Sequence, residues 1–91
     1  MGFLRQPILP ELGYMYEQGR GVEKDYQKAI SLYQDAIKQK NTDAMRNLGW
    51  IYAMGHGVEK SKEKAAELWS QCAKLGNEEC SQATAMLKLL P

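Results

Sequence analysis

Several residue types are scarce in this chain of 91 residues, which has three prolines, two cysteines, one histidine and one phenylalanine. With so few prolines and no low-complexity tract, disorder is expected only at the ends. One histidine and two cysteines fall short of the roughly four ligands a structural zinc takes. No ligand spacing joins them, so neither a metal nor any other cofactor is expected. No apolar run approaches the ~20 residues that span a bilayer. An excess of one charge is also missing: 12 basic side chains face 11 acidic ones, for a net charge of +1. The lysines are interleaved with Glu and Asp, as on a solvated helix face. That is not the clustered basic footprint of a nucleic-acid binder. Met1 to Pro10 lacks the basic, apolar and small-residue regions of a signal peptide, which leaves the compartment open.

What the chain does contain is an internal repeat. Slid by 36 positions, its two halves align without a gap. Leu12-Gly13 falls on Leu48-Gly49, Tyr16 on Tyr52, Gly19 and Gly21 on Gly55 and Gly57, and Val22-Glu23-Lys24 on Val58-Glu59-Lys60. Lys28-Ala29 falls on Lys64-Ala65 and Leu32 on Leu68, while Tyr14 meets Trp50 and Tyr33 meets Trp69. Self-similarity at a period of this size marks a stack of supersecondary units.

Each unit reads as helix, glycine-rich turn, helix. The first unit predicts helices over about Pro7–Gln18 and Asp25–Lys38, with Pro10 as an alternative start. The second predicts them over about Thr42–Met54 and Ser61–Leu75. Ala29, Leu32, Tyr33 and Ala36 sit at i, i+3, i+4 and i+7, and Ala65, Leu68, Trp69 and Cys72 copy them. Gly19 and Gly55 suit a left-handed helix end. Asp25 and Ser61 suit the N-cap of each second helix. Gly13 and Gly49 lie inside the first helices, where a glycine costs about 1 kcal/mol. The same cost at the same place in both units predicts a very close neighbour there. Tyr16, Tyr52, Tyr33 and Trp69 are expected in the core.

These features resemble the Sel1-like repeats, relatives of the tetratricopeptide repeats. The matching residues are Leu48-Gly49-Trp50-Ile51-Tyr52, Gly55-His56-Gly57-Val58, Lys64-Ala65 and Leu68-Trp69, with the same set in the first unit. The resemblance implies an all-α fold, paired antiparallel helices stacked in a right-handed superhelix. One domain over residues 1–91 is expected. It comprises repeats at about 8–40 and 41–76 and a capping helix at about 77–90, with Asn77 as its N-cap and Glu78 and Glu79 in its first turn.

The resemblance also implies a protein–protein interaction role. In tetratricopeptide geometry Tyr14 and Trp50 point into a concave groove lined by the first helices, and Glu17, Gln18, Asp43, Arg46, Ala53 and Met54 are expected to share that face; the alternative for Trp50 is packing against the capping helix or the next first helix. An aromatic beside Arg and Met has the composition of a binding hot spot. The partner is another protein, and a homodimer is one form this could take. Cys72 and Cys80 resemble the C-x7-C placement of a cysteine-rich, secreted subgroup that forms one disulfide per repeat. Oxidised, they point to a periplasmic or secreted protein; reduced, they are alanine-like fillers in a cytoplasmic one.

Two local signals have simpler readings. His56 lies in a turn opposite Arg20, as a surface residue. Ser61-Lys62-Glu63-Lys64 matches the S-x-x-K of penicillin-recognising enzymes, and some Sel1-like relatives are linked to β-lactam binding. Ser61, however, has a role as a helix cap, its repeat partner is Asp25, and no S-D-N or K-T-G companion exists. The expected function is therefore an adaptor or scaffold, a small inhibitor or immunity protein being one variant. A β-lactam-hydrolysing enzyme and a structural fragment of a longer solenoid are the alternatives.

Overall fold

The computed structural model describes residues 9–91, which form five helices: α1 (Glu11–Gln18), α2 (Tyr26–Ile37), α3 (Thr42–Met54), α4 (Lys62–Lys74) and α5 (Glu78–Leu87). No strand occurs among the described residues. Helix α1 begins after Pro10, where a fixed φ and a missing N–H cost nothing. Pro7, the earlier start expected for this helix, lies outside the described residues.

The helix starts follow from local chemistry. The backbone N–H groups of Lys28, Ala44, Lys64 and Cys80 donate to the side-chain oxygens of Asp25, Asn41, Ser61 and Asn77, each at 3.0–3.3 Å. Gly19 and Gly55 end α1 and α3 in the left-handed region, with φ of 69° and 72°. A matched pair of bonds then fastens each hairpin. Asp25 N–H donates to the Tyr16 carbonyl at 3.0 Å, and Ser61 N–H to that of Tyr52 at 2.9 Å.

The helices pack in sequence, α1 on α2, α2 on α3, α3 on α4 and α4 on α5. Two apolar clusters meet at α3. Its Leu48 and Ile51 join Ala29, Ile30, Tyr33 and Ala36 of α2. Its Met45 and Ala53 join Ala65, Trp69 and Cys72 of α4 and Cys80 and Ala83 of α5. Tyr33 and Trp69 are wholly buried, while Tyr16 and Tyr52 are half-buried against the first cluster.

The interior glycines have the close neighbours their cost predicted. A β-carbon on Gly13 would lie 2.8 Å from Cε1 of Tyr33, and one on Gly49 would lie 2.2 Å from Nε1 of Trp69. Each second helix thus lays an aromatic ring on bare backbone of the first. The ring's polar atom is satisfied in both repeats. Tyr33 donates to Glu17 Oε1 at 2.7 Å, and Trp69 Nε1 donates to the Arg46 carbonyl at 3.1 Å.

Cys72 and Cys80 form a disulfide, with Cα atoms 5.8 Å apart, that ties α4 to α5. Leu87 and Leu90 pack onto the second cluster, and Lys62 Nζ donates to the Leu90 carbonyl. The tail therefore lies against α4.

Candidate partner-binding cleft

The first helices of the two hairpins, α1 and α3, turn polar side chains, joined on α1 by Tyr14, onto a common face. Between α1 and α3 this face opens into a cleft of about 510 Å³. Pro10, Glu11, Tyr14 and Met15 line it from the α1 side, with Arg20 from the following turn; Asp43, Arg46 and Asn47 line it from α3. Tyr14 is 43% exposed. On the α3 wall, Arg46 donates to Asp43, three residues back on the same helix, at 2.8 Å and to Glu79 of α5 at 3.2 Å. Two carboxylates on different helices fix the guanidinium, so that little side-chain entropy remains to be lost on binding. Arg20 makes no ion pair among the described residues.

The residues expected on this face are placed unevenly. Tyr14, Asp43 and Arg46 come together in the cleft. Glu17 accepts the Tyr33 hydroxyl and is half-buried. Gln18 and Met54 are exposed near the helix ends, outside the cleft lining. Trp50 is half-buried, its ring edge-on to Trp69 with centroids 4.8 Å apart. The placement of Ala53 is corrected: it is 1% exposed and belongs to the second cluster. At 100° per residue it lies a quarter-turn round from Met54, on the side that packs on α4 and α5.

Glu11, Met15, Arg20 and Asn47 were not among the expected residues. Asn47 is readable from helical period, being one turn from Asp43. Arg20 is not, because a turn brings it to the cleft.

Burial pushes the Tyr33 phenol well above its usual range, and the hydrogen bond to Glu17 and that residue's charge add to the rise; a hydrogen bond from Asn47 opposes it. Ser61, as cap of α4, has its Oγ 3.4 Å from Glu63 Oε2. His56 stacks on Tyr26 with ring centroids 5.5 Å apart. Among the described residues, no three His, Cys, Asp or Glu side chains gather as a metal site. No helix among them is long and apolar enough to cross a membrane.

The Sel1 repeat family matches residues 11–41 and 42–77, the two hairpins just described. The chain belongs to the Sel1 repeat family. Sel1 repeat proteins are generally protein-interaction modules. Solved structures agree with the assignment. A Sel1 repeat protein from Oxalobacter formigenes superposes with a TM-score of 0.81 at 29% identity over 86% of this chain. A protective antigen of uropathogenic Escherichia coli with an SLR fold gives 0.77 at 31% over 81%. Helicobacter pylori cysteine rich protein B gives 0.74 at 31% over 81%. This Sel1 chain spans 32%, 16% and 56% of those three proteins. No curated protein sequence matches it.

Proposed function

We propose that this Sel1 repeat domain is an adaptor or scaffold that grips a protein partner in the cleft between α1 and α3. One observation carries the reading: an exposed tyrosine faces a prefixed arginine across an open cleft. Tyr and Arg are the side chains that dominate binding hot spots, because each offers large contact area with a polar handle. Arg46 is already held by Asp43 and Glu79, while Arg20, with five N–H donors, joins no ion pair among the described residues. The rigid hairpins present this surface without a large ordering cost on their own side. A disulfide between α4 and α5 suits an oxidising compartment.

Affinity capture from the native source tests the reading with wild type and a Tyr14→Ala/Arg20→Ala variant. Both side chains are exposed, so the variant keeps its helicity and melting temperature. Truncating a hot-spot tyrosine costs about 2 kcal/mol or more, so the wild type retains a partner that the variant loses. Equal retention by both proteins refutes the reading.

A further inference from the structure

A second concave surface lies on the opposite side of α3. Met45, Leu48 and Tyr52 fall half a turn of helix away from Asp43, Arg46 and Asn47. They floor a furrow between α2 and α4, which pack through α3 rather than on one another.

The furrow contains two adjoining hollows of about 300 and 370 Å³ that share Ile37. The first has an apolar floor of Ile37, Leu48, Tyr52 and Leu68. In the second, the apolar surface comes from Ile37, Met45 and Leu75. One wall is a single stripe of α4 and its C-cap: Lys64, Glu67, Leu68, Gln71, Lys74 and Leu75 recur at helical spacing. Leu75 is 50% exposed.

The rim is basic. Lys40, Lys64 and Lys74 stand around the two hollows, against the single carboxylate of Glu67. Lys64 lies over the Tyr52 ring, 5.1 Å from its centroid, and neither Lys40 nor Lys74 joins an ion pair among the described residues. An apolar floor with an uncompensated basic rim complements an apolar stripe flanked by carboxylates.

Leu68 and Leu75, one in each hollow, are seven residues apart, a rise of roughly 10 Å along a helix. A helix lying alongside α4, with its own apolar residues seven apart, delivers one to each hollow. The geometry points to a docking site for an acidic amphipathic helix of a partner protein, seated in the furrow between α2 and α4. This surface is separate from the α1–α3 cleft, so either can fail without the other.

The test titrates isotope-labelled full chain with a blocked synthetic helix bearing leucines at i, i+3 and i+7 and glutamates on both flanks. A second peptide replaces the glutamates with lysines. Saturable amide shifts at Ile37, Tyr52, Leu68 and Leu75 are expected with the acidic peptide and not with the basic one. Lys40→Glu/Lys74→Glu changes only exposed side chains; with its circular dichroism unchanged, it is expected to bind at least tenfold more weakly. Tyr14→Ala/Arg20→Ala is expected to bind normally. Three results overturn the proposal: no saturation up to about 1 mM peptide, equal binding of both peptides, or shifts confined to the Tyr14–Arg46 cleft.

Discussion

Trp69 lies so close over Gly49 that a β-carbon on the glycine would sit 2.2 Å from the indole nitrogen. Replacing an interior helical glycine with alanine ordinarily gains about 1 kcal/mol. Here the overlap outweighs that gain, because the rigid indole is wholly buried and bonded to the Arg46 carbonyl. Gly49→Ala is expected to destabilise by a net of about 2 kcal/mol. Gly13→Ala, with 2.8 Å to the Tyr33 ring, is expected to lose less. Urea unfolding of both variants checks the order; a stabilised Gly49→Ala would remove the close-packing account of the repeat.

The disulfide closes a loop with a sequence separation of 8. The chain-entropy relation gives such a link about 2.5 kcal/mol. Cys72→Ala/Cys80→Ala is expected to lose roughly that amount and still fold, since the equivalent positions in the first repeat are Ala36 and Ala44, both buried. Hydrogen exchange locates the loss: α5 amides are expected to exchange faster while those of α2 hold. Faster exchange spread evenly over all helices contradicts this.

Tyr33 sets an alkaline limit. Its folded-state proton is held more tightly than in the unfolded chain, mainly by burial and then by Glu17. A raised folded pKa means that the contribution is complete below the unfolded value of about 10 and declines as pH climbs above it. Tyr33→Phe is expected to lose about 1 kcal/mol near neutrality, the worth of the bond to Glu17. It is also expected to show a shallower fall in stability above pH ~10. Parallel alkaline slopes for the two proteins count against the assignment.

Lys40 adopts φ of 60°, while its repeat equivalent Gly76 has 97°. A side chain in the left-handed region costs about 1 kcal/mol that glycine avoids. Lys40→Gly is therefore expected to raise stability by up to about that amount in thermal melting. A decrease would show that the lysine side chain contributes more than the backbone conformation costs.

Much of this was readable in the sequence, for local reasons. N-caps at Asp25, Ser61 and Asn77 depend on bonds that reach three residues. The glycines at 13 and 49 carry their own helical penalty, so their recurrence points to a neighbour. What was not readable depends on tertiary placement. Ala53 and Met54 are adjacent, yet only the packing of α4 and α5 decides which of them is covered. Tyr14 and Trp50 occupy equivalent repeat positions. Trp50 is drawn into the cluster that α5 completes, while Tyr14 faces an open cleft, and no local pattern separates them.

The cleft reading is tested most directly by photo-crosslinking from position 14 in the native source. A photoreactive phenylalanine derivative replaces Tyr14 in one protein and Glu59, on the exposed turn of the second repeat, in another. A discrete adduct with a second protein from position 14, absent from position 59, is the predicted result. No adduct at position 14, or the same adducts from both positions, contradicts the account.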